Sequence, residues 1–164
     1  MYHLFFDKWE MPSSPANLFG AVRKYDIHTG IDIFMHEDAT VYVPYDGEVV
    51  KIGWFTGTNA EPTPPPWWND TQYVIIRHHA LGKYILYGEI EVCNGLYVGK
   101  VVQAGDMLGN IVQVLKRDKG LPMSMLHIEQ YDSIEKAPAI WKLNESCPIG
   151  LEDPYDFLLS LKKQ

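Results

Sequence analysis

The sequence predicts a mainly β fold, antiparallel throughout, with one short helix at its C-terminal end. From Ile27 onward the chain is built of short runs rich in Ile, Val and Tyr, which suit a half-buried pleated surface. Glycines and Asp-Gly or Asn-Gly pairs separate these runs, as the turns of antiparallel strands require. Helical periodicity is scarce before the last segment. With 164 residues and 46% hydrophobic side chains, the chain can bury one core but is short for two ordinary domains. The reading is therefore an N-terminal extension over 1–21, packed on a single domain over 22–164.

In chain order, the opening MYHLFFDKWE has only Leu4 to Phe6 as an apolar run, too short for a secretory core or a membrane span. The default expectation is a cytoplasmic protein without a transmembrane segment. DIHTGIDIF follows as the first strand, with Ile27, Ile31 and Ile33 expected on its core face. VYVPYDGEVVKIGW reads as two strands joined through Pro44 and Asp46-Gly47. TGTNAEPTPPPWWND cannot be a central strand, because its prolines lack ladder donors, and its Trp67 and Trp68 either wall a substrate groove or fold back onto the sheet. YVIIRHHALGKYILYGEIEV is a hairpin turning at Leu81-Gly82, and GLYVGKVVQAGDMLGNIVQV is a strand pair with turn glycines at Gly99 and Gly105. MLHIEQY is the last long strand, and DPYDFLLSLKK has the acidic start and basic end of a helix.

Composition narrows the partners. Fourteen Lys and Arg stand against 21 Asp and Glu, a net charge of −7, which opposes phosphate backbones and excludes nucleic acid. Cys93 and Cys147 match no CxxC pattern; one disulfide is conceivable, but two free thiols are expected.

The chemistry concentrates in two segments. In DIHTGIDIF, His28 and Asp32 are four apart, on one face of a strand with Gly30 leaving room between them. In MLHIEQY, Met125, His127 and Glu129 share one face while Leu126 and Ile128 take the other. Two imidazoles and a carboxylate suit zinc, and three protein ligands leave a fourth position for water. HxxxD alone is equally the spacing of surface hydrogen bonding.

HTGIDI with ATVYVPYDGEVVKIGW after it, then VIIRHHALGKYILYGEIEV, VGKVVQAGDMLGNI and MLHIE, run in that order from about Val22 to Tyr131. Together with the DPYDFL ending they resemble the lysostaphin-type, or LytM-like, zinc endopeptidases that cut cell-wall peptides. The resemblance implies antiparallel sheets of the duplicated-hybrid-motif type and a Zn2+ site of His28, Asp32 and His127, with Glu129 supporting a ligand. It also implies that both catalytic histidines of the family are replaced, by Met125 in the HxH position and by Glu89 after Tyr87-Gly88. Met125 cannot move protons. Glu89 can, and it is the candidate catalytic group, with Tyr87 on the same strand face and Trp67 and Trp68 contacting substrate. His78 and His79 point to opposite faces, so one of them is a further source of base.

The resemblance therefore implies a zinc metallopeptidase hydrolysing peptidoglycan-type or small-residue peptides through a zinc-bound water. The alternative is a catalytically inactive zinc-holding module that binds peptide or glycan. VGKVVQAGDMLG is also similar to lipoyl-type and sugar phosphocarrier domains, but the order of HxxxD, VPYDGEV and the late histidine opposes both.

Overall fold

The computed structural model describes residues 3–5, 7–116, 120 and 123–163. Its strands are β1 (Ile31–Phe34), β2 (Thr40–Tyr42), β3 (Gly47–Thr56), β4 (Thr71–His78), β5 (Lys83–Val92), β6 (Val101–Val102), β7 (Met107–Ile111), β8 (Met125–Tyr131) and β9 (Leu151–Glu152), followed by α1 (Tyr155–Lys162). All pair antiparallel in one sheet of order β1-β8-β5-β4-β3-β6, with β7 bridging β2 to β5 and β9 on β8.

The central strands explain the continuous apolar runs of the sequence. On β4, Val74 and Ile76 join the main core while Tyr73 and Ile75 join a smaller cluster on the other face. On β5, Ile85 and Tyr87 alternate with Leu86 in the same way. Strands covered on both faces have no polar side to show.

The helix closes the main core with Phe157, Leu158 and Leu161. Asp153 accepts the Tyr155 N–H at 2.9 Å, satisfying one of the donors left free at a helix start. Leu4, Phe5 and Trp9 are buried in the same core, and the Leu4 carbonyl accepts from the Tyr42 N–H. Lys162 bonds the Trp9 carbonyl and lies over the Trp9 ring at 4.8 Å, so the two ends of the chain clasp each other.

Several local expectations change. Pro44 and Asp46-Gly47 do separate two strands, but β2 and β3 pair with other partners instead of with each other. The first strand starts only at Ile31. Ile27 leaves the core face and bridges Val22. Gly30 is needed for a different contact than expected: a Cβ there would stand 2.1 Å from the Ile128 carbonyl oxygen, so glycine lets the chain press onto β8. Cys93 and Cys147 are free thiols. Among the described residues, no helix is long and apolar enough to cross a membrane.

Candidate metal centre

β1 and β8 pair with Asp32 directly opposite His127. His28 arrives from the segment before β1, held by exchange of backbone bonds in which its carbonyl accepts from Gly20 and its N–H donates to Ala21. The three side chains are 4%, 4% and 5% exposed for His28, Asp32 and His127. Their facing atoms form a tight triangle: His127 Nδ1 to Asp32 Oδ1 is 2.8 Å, His28 Nε2 to Asp32 Oδ1 is 3.2 Å, and His28 Nε2 to His127 Nδ1 is 3.3 Å. A tetrahedral ion with bonds of about 2.0–2.1 Å spaces its ligand atoms by about 3.3 Å.

The surrounding bonds aim lone pairs into this triangle. His28 Nδ1 donates to the Leu18 carbonyl at 2.9 Å, leaving Nε2 as the acceptor. His127 Nε2 donates to Glu129 Oε1 at 2.9 Å, leaving Nδ1 inward. Glu129 in turn accepts from the hydroxyls of Thr29 and Tyr131, the kind of carboxylate support that fixes a ligating imidazole. Arg23 holds the other oxygen of Asp32 at 3.1 Å.

Three buried acceptors aimed at one point require a positive charge between them. Burial opposes the charged form of His127, yet its bonds to Asp32 and Glu129 lift its pKa well above the usual histidine range. Burial pushes the Asp32 carboxyl up, but the neighbouring His127 and His28 hold it far below the usual carboxylate range. The donor set and its spacing fit zinc, and His28, Asp32 and His127 are the described group able to hold a metal.

The trio lies in a cleft of about 530 Å³. Phe55 packs on the His127 ring at 5.3 Å between centroids, and Trp54, Trp68 and Trp141 supply further aromatic wall.

Glu89 reaches this cleft through a bulge. Tyr87 and Ile90 both face the main core although they are three residues apart, which a regular strand of period two forbids. The pairing steps from Tyr73↔Gly88 to Gln72↔Ile90, so Glu89 is the extra residue, with φ +64°. Here β5 also changes partner, from β8 up to Gly88 to β7 from Ile90. The Glu89 carboxyl lines the cleft, and its Oε2 is buried with no hydrogen-bond partner among the described residues. Burial first, then the charge of Asp32, pushes its pKa up to about 8.

The bulge overturns the expected pairing of Tyr87 with Glu89. Tyr87 is fully buried on the opposite face, its hydroxyl 2.7 Å from His78 Nε2, so it has no access to a substrate in the cleft. His78 is buried there and His79 is exposed, and neither lines the cleft. Trp68 lines the cleft, whereas Trp67 is 40% exposed and outside its lining. Met125 is half-buried, opposite Phe34 and also outside that lining.

Sequence reasoning missed Arg23, Phe55 and Trp141. An arginine five residues before His28, in a chain with an acidic balance, is the one signal that marked any of them.

The model of peptidase family M23 matches residues 26–137, and the chain belongs to that family of metallopeptidases. Among solved structures, the catalytic domain of the antimicrobial peptidase lysostaphin from Staphylococcus simulans aligns with TM-score 0.56 at 17% identity, over 87% of this chain and 89% of that one. The antimicrobial peptidase lysostaphin from the same organism, as a longer chain, aligns with TM-score 0.52 at 20% identity, over 82% of this chain and 44% of that one. The catalytic domain of a mutant of the prophage-encoded M23 protein EnpA from Enterococcus faecalis aligns with TM-score 0.56 at 17% identity, over 92% of both chains. These likenesses establish the shared fold. No curated protein matches the chain significantly.

Proposed function

We propose that the protein is a zinc metalloendopeptidase acting on peptidoglycan-type or other small-residue peptides. The observation that carries this reading is the buried lone-pair triangle of His28, Asp32 and His127 opening onto a cleft that also holds an unpartnered carboxyl, Glu89. A zinc ion held by His28, Asp32 and His127 would supply Lewis acidity toward water and a peptide carbonyl.

The chain's own residues supply the rest. Glu129 and Leu18 fix the two imidazole tautomers, and Arg23 occupies the second oxygen of Asp32 so that one oxygen is turned to the metal. Glu89 is the proton carrier. In a bulge with φ +64° the backbone is held in a region costly for a side-chain-bearing residue, and such strain is typical where function needs a group aimed against the sheet's regularity. A metal held by His28, Asp32 and His127 would offset the charge of Asp32, which with burial raises the Glu89 pKa to about 8, and so would favour the carboxylate. The carboxylate takes a proton from the attacking water and, as the acid, gives it to the leaving amine.

The test is hydrolysis of oligoglycine and of peptidoglycan stem peptides by the zinc-loaded protein, followed by mass spectrometry, beside Glu89→Gln. We expect product from the wild type and a loss of about a hundredfold or more in the variant, with zinc content equal. Wild-type turnover by Glu89→Gln removes the proton role of Glu89.

A second reading is favoured by Met125, which stands where the family resemblance places a proton-moving histidine. On that reading the protein holds zinc and binds peptide or glycan without turnover. Zinc-dependent product abolishes it, and saturable binding with no product over days supports it.

A further inference from the structure

Segment 138–141 lines the cleft with Pro138, Ala139, Ile140 and Trp141 and belongs to no strand or helix. A wall without ladder bonds has to be held by other partners. Just ahead of it, Lys51 Nζ donates to the Ala137 carbonyl at 2.6 Å, and at its far end the Ile27 N–H donates to the Trp141 carbonyl at 2.8 Å. Between these anchors the Ala139 N–H donates to the Tyr131 hydroxyl at 2.9 Å.

Tyr131, the last residue of β8, is 1% exposed and lies outside the cleft lining. An amide N–H can only donate, so the Tyr131 oxygen accepts there and keeps its own proton for a second partner. That partner is Glu129 Oε2. The other oxygen of the same carboxylate accepts from His127 Nε2 at 2.9 Å. One directed chain therefore runs from the middle of the wall to a metal-facing ring: Ala139 N–H, Tyr131 hydroxyl, Glu129 carboxylate, His127. Successive bonds of this kind orient and polarise one another where water is excluded. The end of the wall reaches the other imidazole, since Trp141 packs on Phe19 at 5.5 Å between ring centroids. Phe19 stands between Leu18, whose carbonyl accepts from His28 Nδ1, and Gly20, whose N–H donates to the His28 carbonyl.

We propose that Tyr131 is a positioning residue: its hydroxyl holds the 138–141 wall and the His127 ring in one frame, so that occupation of the metal site is felt at the cleft wall. The inference rests on the metal-site reading above and assigns the part of the cleft that responds to it. By linkage the coupling acts equally in both directions, so whatever steadies the wall also favours the metal.

The experiment compares the full wild-type chain with Tyr131→Phe and Leu151→Ala, by zinc competition against a chromophoric chelator and by amide hydrogen exchange followed by NMR with and without zinc. Leu151 pairs with Tyr131 across β8 and β9 and packs in the same cluster, so Leu151→Ala loosens the surroundings of Tyr131 and leaves every bond of the chain in place. Tyr131→Phe is expected to weaken zinc about tenfold and Leu151→Ala by no more than about twofold. In the wild type, zinc slows exchange at Ala139 by about tenfold in turn. It leaves unchanged the exchange of Ala104, whose N–H donates to Asp46 Oδ1 at 2.8 Å away from the cleft lining. Tyr131→Phe abolishes the slowing at Ala139. Unchanged Ala139 exchange in zinc-loaded wild type overturns the proposal, and that readout needs no variant to fold. Equal weakening of zinc by Leu151→Ala also overturns it, because packing alone then accounts for the effect. If the wild type takes up no zinc in the competition assay, the metal-site reading itself falls and this inference with it.

Discussion

Strand β5 separates two buried histidine centres, and they behave in opposite ways. On the cleft face, His127 meets Asp32 and Glu129, and its pKa lies well above the usual range despite burial. On the core face, His78 meets the Tyr87 hydroxyl at 2.7 Å and the Asp46 carbonyl at 3.2 Å, with Tyr45 and Phe157 against its ring. Burial there pushes its pKa down to about 4. Both rings are almost fully enclosed, so burial does not mark a ligand. Partners do: carboxylates and a second imidazole converge on His127, whereas His78 is a neutral member of an apolar packing.

The largest expected contrast is in metal affinity. Structural zinc sites are worth about 10–16 kcal/mol over their ligand set, so His127→Ala should weaken zinc about a thousandfold in competition with a chromophoric chelator. His78→Ala should leave zinc affinity within about twofold and instead lower stability by about 2–4 kcal/mol, read by urea titration. A loss of zinc binding in His78→Ala, in protein shown to be folded by circular dichroism, would break the comparison.

Glu129→Gln tests what orients His127. The amide keeps the shape but is a poorer acceptor for the imidazole N–H, and a weakening of about ten- to a hundredfold in zinc affinity is expected from the same competition assay.

Acid sharpens the contrast from the other side. His78 has a folded pKa of about 4 against an ordinary value of 6.5, so below pH 6.5 the unfolded chain binds a proton that the native state refuses. Stability is therefore full above pH 6.5 and drains as pH falls toward 4, by on the order of 3 kcal/mol. In metal-free protein, His78→Gln should show an acid limb shallower by one proton over that window. Glu89 has the opposite window: its folded pKa of about 8 stands above 4.5, so its contribution is full below pH 4.5 and is lost as pH rises toward 8. Metal-free Glu89→Gln should lose less stability than wild type between pH 6 and 8, measured by thermal unfolding.

What could be read beforehand follows the same divide. The alternation in MLHIEQY correctly sends Leu126 and Ile128 to the core and leaves His127 and Glu129 on the other face, because β8 is regular. His28 sits ahead of β1 instead of within it, so its approach to Asp32 depends on the loop that Gly20 and Ala21 pin, which no strand periodicity encodes. Tyr87 was placed on the wrong face because period two was counted through Glu89, and the bulge arises only where β5 exchanges β8 for β7. That exchange is a property of three strands far apart in sequence. Trp67 and Trp68 are adjacent and diverge, and their directions are set by the bridge from Trp68 to Leu115 and the bond from the Lys116 N–H to the Trp67 carbonyl.

The bulge at Glu89 also bears on how such a site changes over time. An extra residue stands outside the alternation of its strand, so exchanging its side chain shifts no register and turns no neighbour to the wrong face. The sheet on either side is locked by Tyr87 and Ile90 in the core, while Glu89 between them is free to differ in chemistry. The side chain beside the His28, Asp32 and His127 triangle can thus be exchanged with the scaffold left as it was.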